Sequence, residues 1–155
     1  NMLIGQHCRI PYGTFASFFH TRKYRDCERA TREKARETLG FVGIPEREDD
    51  QAKALSYGEQ RLLEIARALV SDSCLLLLDE PAGMNPTEKD NLARLVLEIR
   101  KRGVTVLCVE HDMKFVMGIT DRICVLNYGQ RIALGTPGEM QRHPAVVEAY
   151  LGGGE

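Results

Sequence analysis

Cys74-Leu75-Leu76-Leu77-Leu78-Asp79-Glu80-Pro81 is the stretch from which the rest of the chain is read. An unbroken aliphatic run ends in two adjacent carboxylates. A run so short and so apolar is the pattern of a strand buried on both faces, as in parallel sheets. Burying the strand carries its C-terminal end, and Asp79 and Glu80 with it, to the rim of the sheet, where open α/β sheets bind ligands. Two carboxylates held together away from water are costly, so a cation or a substrate proton between them is expected. An acidic turn closing an ordinary strand gives the same letters, and this stretch alone does not separate the two readings.

Two flanking stretches do. Upstream, Leu55-Ser56-Tyr57-Gly58-Glu59-Gln60 leads into Arg61–Val70. Ser56 with Glu59 three places on is a capping-box spacing, and Leu62, Ala66, Leu69 and Val70 repeat at helical intervals. A serine, a glycine and free backbone N–H groups at a helix start favour an anion, through the dipole and the unpaired donors. A simple helix cap uses the same geometry. Downstream, Val104-Thr105-Val106-Leu107-Cys108-Val109 reads as a second buried strand, ending in Glu110-His111-Asp112. A second polar cluster therefore reaches the same rim.

In this order and at these spacings the chain resembles the nucleotide-binding subunits of ATP-binding cassette (ABC) transporters. Leu55–Gln60 resembles the signature loop, Cys74–Glu80 the Walker B strand with its catalytic glutamate, Ala82-Gly83-Met84-Asn85 the D-loop, and His111 the switch histidine. The resemblance implies an α/β fold of the P-loop NTPase (ABC ATPase) type. It is partial here: a helical subdomain over residues 1–54, then residues 55–155 with the signature loop, Walker B, D-loop, switch region and C-terminal part of a mostly parallel sheet flanked by helices. It implies ATP and Mg²⁺ as cofactors, with Asp79 on the metal, Glu80 and His111 as the catalytic residues, and Ser56, Tyr57, Gly58, Glu59 and Gln60 facing ATP held by the opposite subunit of a head-to-tail pair. Membrane permease subunits are the implied partners, at the cytoplasmic face of the membrane.

Three details resemble the branched-chain amino-acid uptake branch: Tyr57-Gly58-Glu59-Gln60-Arg61, Glu110-His111-Asp112-Met113-Lys114-Phe115-Val116-Met117, and the ending Glu148-Ala149-Tyr150-Leu151-Gly152. Lipopolysaccharide-export ATPase subunits end similarly and form the alternative, and a soluble ABC-type ATPase of translation or DNA repair is a further one. One departure stands out. Pro81-Ala82-Gly83-Met84-Asn85-Pro86 runs one residue shorter than the Pro-Ala-Ala-Gly-Leu-Asn-Pro of that branch, which alters a loop expected to cross the dimer interface.

The 155 residues contain no G-x-x-x-x-G-K-[ST], the loop that cradles phosphates in such ATPases. The chain is therefore read as the C-terminal part of a nucleotide-binding domain. A non-catalytic fragment without its own ATP site, able to supply a signature loop only in trans, is the reading from another class. In the family's sheet the phosphate-loop strand lies beside the switch-histidine strand, so its loss leaves an unpaired edge and a tendency to self-associate.

Length suits one domain with a sizeable core. A net charge of −1 points to neither nucleic acid nor an anionic membrane surface as a partner. No apolar run approaches the roughly 20 residues that span a bilayer. Five cysteines show no CxxC pair; Cys74, Cys108 and Cys124 fall inside apolar strands, where a thiol acts as a small core residue. This usage fits a reducing compartment.

The remaining elements follow in order. Pro11-Tyr12-Gly13 marks a turn between Met2-Leu3-Ile4 and an aromatic cluster at Phe15, Phe18 and Phe19. Residues 22–37 mix both charges densely, with pairs such as Glu28–Arg32, and read as a solvated helix rather than a nucleic-acid patch. Leu39, Phe41, Val42 and Ile44 give it an apolar end, stopped by Gly43 and Pro45. Asn85-Pro86-Thr87-Glu88 is a strong helix start, with Leu92, Leu95, Val96 and Ile99 on one face. A short helix at 113–118, strands at 123–126 and 131–134 joined by a turn, two short helical pieces and a disordered Gly152-Gly153-Gly154-Glu155 complete the chain.

Overall fold

The computed structural model describes residues 1–6, 21–79 and 83–151. Outside the described residues lie Glu80, the Pro11–Gly13 turn, the cluster at Phe15, Phe18 and Phe19, and the terminal Gly152–Glu155.

Asn1 precedes a short helix, α1 (Met2–Gly5), and Gln6 pins it by donating from Nε2 to the Thr31 carbonyl of the next helix at 2.9 Å. That helix, α2 (Arg22–Val42), begins at a Thr21 cap and ends at Gly43, whose φ of 92° gives the left-handed turn that closes a helix without a Cβ penalty. It is solvated along most of its length but buries Thr31, Ala35, Leu39 and Val42. Asp26 and Arg29 form an i,i+3 pair at 2.8 Å, while Lys34 to Asp72 and Arg36 to Glu48 reach other segments. Two single 3₁₀ turns, Pro45–Arg47 and Ala52–Ala54, make the polar connector into α3 (Tyr57–Leu69).

Strand β1 (Leu75–Asp79) follows, then α4 (Pro86–Lys101) and β2 (Thr105–Val109). Helix α4 is specified at both ends and along one face. Asn85 and Glu88 exchange a reciprocal capping box, Pro86 occupies the first turn, and Arg100 and Lys101 sit in the last. Its buried residues are Leu92, Leu95, Val96 and Ile99, the predicted stripe. The strands pair in parallel from Leu75 opposite Thr105 to Asp79 opposite Val109.

The expectation of burial on both faces is corrected. Leu76 is buried, and Leu78, Val106 and Cys108 pack against the same core, but Leu75, Leu77, Leu107 and Val109 lie on the open side, Leu77 at 64% exposure. Strand residues alternate between faces, and α3 and α4 supply the core for one of them; among the described residues nothing encloses the other. The cysteine expectation fails for the same reason: Cys108 is half-buried, whereas Cys74 precedes β1 and Cys124 points outward between buried Ile123 and Val125, and both are exposed.

Helix α5 (Met113–Ile119) packs on α4 and leads to an antiparallel hairpin, β3 (Ile123–Asn127) and β4 (Gln130–Gly135). Its two-residue turn places both Tyr128 (φ 46°) and Gly129 (φ 76°) in the left-handed region, the type I′ geometry that matches strand twist. The hairpin forms its own small sheet, separate from β1 and β2. Helices α6 (Pro137–Met140) and α7 (Pro144–Leu151) pack on it over Val116, Val125, Ala133, Met140 and Val146. The larger core joins Leu39, Ile65, Ala66, Val70, Leu76 and Leu92.

Ile99 is fully buried in that larger core. Ile99→Ala is expected to lower stability by about 2–5 kcal/mol, the range for deleting a buried aliphatic side chain, read as the shift in urea midpoint at unchanged slope.

Candidate functional site

Parallel pairing makes both strands run out at one rim. Asp79 stands opposite Val109, so Asp79, and Glu110, His111 and Asp112 just beyond the neighbouring strand, reach the same end of the sheet. Asp79 is exposed. Glu110 is the opposite case: its side chain is 1% exposed, and one carboxylate oxygen, Oε2, accepts from the backbone amides of His111 (3.0 Å) and Asp112 (3.2 Å). The turn is thus closed by a buried acid, and the His111 imidazole projects outward at 73% exposure.

Asp112 divides its two oxygens. Oδ1 accepts from the Phe115 amide at 3.2 Å and caps α5; Oδ2 accepts from Lys89 Nζ at 2.8 Å. The Lys89 ammonium, with the Phe115 amide behind it, holds the Asp112 carboxyl below its ordinary value, and Lys89 is raised in turn by Asp112. Cys108, on the strand leading to this turn, has its thiol pushed up to about 11, by burial first and then by Glu110 and Asp79. It stays protonated and is no nucleophile near neutral pH.

The start of α3 forms the second part. Ser56 Oγ accepts from the Glu59 amide at 3.3 Å, and Glu59 Oε2 accepts from the Ser56 amide at 2.8 Å. Arg47 Nε donates to the other Glu59 oxygen at 2.8 Å. The Ser56 amide and Arg47 hold the Glu59 carboxyl below its ordinary value. Gln60 Nε2 donates to the Leu55 carbonyl at 2.9 Å, and Arg61 donates to the Tyr57 hydroxyl at 2.8 Å. Glu59 and Gln60 are therefore spent on the shape of the loop, Ser56 and Tyr57 are exposed, and Gly58 is buried.

What buries Gly58 is the start of α4. A Cβ there would stand 2.6 Å from Glu88 Oε1, and a Cβ on Gly83, whose φ is +80°, would stand 3.1 Å from the Tyr57 ring. Three sequence-distant pieces meet in this way: Tyr57 and Gly58 on Gly83 and Glu88, and Lys89, one residue further, on Asp112. Sequence reasoning named Ser56 to Gln60, Asp79 and His111 as candidates, but named neither the Lys89 contact nor the buried role of Glu110. The Asp112 cap is legible from its distance to Phe115; the Lys89 contact, 23 residues away in sequence, carries no local signal.

Among the described residues no three His, Cys, Asp or Glu side chains gather as a metal nest. A single exposed carboxylate at a strand end suits Mg²⁺, which takes one or two carboxylates and completes its shell with phosphate oxygens and water. Asp79 fits that use.

Comparison with known proteins gives the family. Residues 5–83 match the family model described as ABC transporter, and residues 130–155 the one described as branched-chain amino acid ATP-binding cassette transporter. The chain is 44% identical over 154 residues to the high-affinity branched-chain amino acid transport ATP-binding protein LivG of Salmonella typhimurium, covering 98% of this chain and 60% of that protein. The corresponding protein BraF of Pseudomonas aeruginosa gives the same identity and coverage, 44% over 98% of this chain and 60% of BraF. The ADP conformation of an ATP-binding cassette of an ABC transporter superposes with a TM-score of 0.75 at 33% identity, over 97% of this chain and 61% of that one. The chain thus spans about 60% of the length of the curated relatives it matches.

The depressed Asp112 carboxyl makes a pH prediction. A group whose value falls on folding stabilises above its unfolded value, and that stabilisation is lost as pH falls through the folded one. The stability gap between the native protein and Asp112→Asn, which keeps the cap but not the charge, is expected to be full above about pH 4, the ordinary aspartate value, and to close below it. Urea midpoints at neutral and acid pH measure the gap.

Proposed function

Because the chain belongs to the ABC transporter family, and within it to the ATP-binding proteins, we propose that it carries the signature loop, Walker B strand, D-loop and switch histidine of a subunit that hydrolyses ATP to drive uptake of branched-chain amino acids. The observation that carries this reading is the shared rim: Asp79 ends one strand opposite Val109 of the parallel neighbour, two residues before His111, and the start of α3 touches the helix that follows the D-loop. Residues 1–54 belong, in this reading, to the helical subdomain and 55–155 to the ATPase core.

Phosphoryl transfer needs positioning and charge neutralisation more than covalent chemistry. Asp79 would hold Mg²⁺, which when bound neutralises charge on the β- and γ-phosphates. Glu80 orients a water and takes its proton as the water oxygen bonds to the γ-phosphorus; the bond from that phosphorus to the bridging oxygen breaks, and ADP leaves with the electron pair. His111, already turned outward, contacts the γ-phosphate. Ser56, Tyr57 and Gly58 face the ATP of the opposite subunit in a head-to-tail pair, with Glu59 and Gln60 keeping the loop in shape. Difference in energy between the closed ATP-bound pair and the opened ADP-bound pair drives the permease subunits. The protein sits peripherally at the cytoplasmic face of the membrane; among the described residues no helix is long and apolar enough to cross one.

The full-length subunit reconstituted with its permease tests this. Glu80→Gln is expected to lower ATP turnover by about 10²-fold or more, the usual worth of a general base, and to accumulate an ATP-bound dimer visible by size exclusion; unchanged turnover removes Glu80 from its role. Uptake of labelled leucine into vesicles checks the substrate class. The 155 residues by themselves lack a phosphate-cradling loop, and we expect them to be inactive alone, with titration calorimetry giving no ATP binding in the micromolar range.

A further inference from the structure

We propose that Lys89 is a positioning residue for the switch histidine, acting through Asp112 to fix the switch turn to the first turn of α4. The inference rests on the reading of His111 as the γ-phosphate contact.

The geometry is specific. His111 is flanked by two anchored acids. On one side Glu110 is buried and tied to the backbone amides of His111 and Asp112. On the other, Asp112 is held at two points, by the Phe115 amide through Oδ1 and by Lys89 through Oδ2. The first bond is local and only caps α5. The second crosses from α4 and, beside the packing of α5 on α4, ties the turn to the helix after the D-loop.

This pair differs from the surface ion pairs of the chain. Lys89 and Asp112 are 25% and 31% exposed, whereas Arg29–Asp26 and Arg100–Asp121 are 77% and 56%, and 47% and 75%. Partial shielding keeps such a contact from being screened and from wandering among rotamers. Its position has a further effect. Lys89 adjoins Glu88, whose carboxylate packs on Gly58 and also accepts from the Asn85 amide at 2.8 Å. One helical turn therefore registers two loops, the signature loop through Glu88 and the switch turn through Lys89. A change in how α4 begins is transmitted to both.

The test uses the full-length subunit with its permease and compares Lys89→Met, which keeps the aliphatic stem, with Asp112→Asn, which keeps the cap. Each is expected to lower kcat about tenfold, since small misplacement of a catalytic group is costly, with KM for ATP within about twofold. The double variant falls no further than either single one, because both remove one interaction. Lys89→Arg restores most of the turnover, and Lys101→Met, an exposed lysine on the same helix paired to Glu98, leaves it unchanged. Turnover of Lys89→Met at the native level while His111→Ala is inactive overturns the inference alone. So do multiplicative losses in the double variant, or a loss that Arg does not repair. Native turnover in His111→Ala overturns the assigned role of His111, and this inference with it.

Discussion

The parallel pairing of β1 with β2 is the constraint on which the rest depends. Parallel strands cannot be joined by a tight turn; the chain must return along the sheet before it can start the second strand. Helix α4 makes that return, and so its first turn is obliged to lie at the rim where both strands end. Everything chemical in the chain is placed by that obligation. Asp79 and the turn after β2 come to the same end of the sheet without being close in sequence, and Glu88 and Lys89 come within reach of Gly58 and Asp112 because the crossover has to begin there.

A second regularity concerns what the acids are used for. Glu59, Glu88, Glu110 and Asp112 are all committed to backbone amides, as halves of capping boxes, as a cap, or as the closure of a turn. Glu59 is held below its ordinary value by the Ser56 amide and then Arg47, and Asp112 by Lys89 and then the Phe115 amide. Asp79, at the end of β1, is exposed. The sorting into structural and available acids is made by hydrogen bonding, not by residue type.

Legibility in the sequence followed the range of the interaction. Asn85-Pro86-Thr87-Glu88 and Ser56 with Glu59 announced two helix starts because capping is a matter of three residues, and both boxes are formed. The Leu92, Leu95, Val96 and Ile99 stripe was readable because helical period fixes which residues share a face. The run Leu75 to Leu78 was readable as a strand but not as one half-open strand, since four consecutive leucines say nothing about what lies over each face. Cys74 and Cys124 were misplaced by the same limitation. The contacts of Lys89 with Asp112 and of Gly58 with Glu88 were invisible, because they exist only once the crossover has been made. Glu80 and the first part of the D-loop were named from the sequence and lie outside the described residues.

The open face of β1 and β2 has a colloidal consequence. Leu75, Leu77, Leu107 and Val109 form a flat aliphatic surface that buries well against any similar surface. Proteins with such patches are usually kept dispersed by mutual charge repulsion, and a net charge of −1 gives this chain almost none. Two copies meeting in solution would encounter a hydrophobic attraction with no long-range barrier in front of it. Dispersion of the chain then depends on having that face covered.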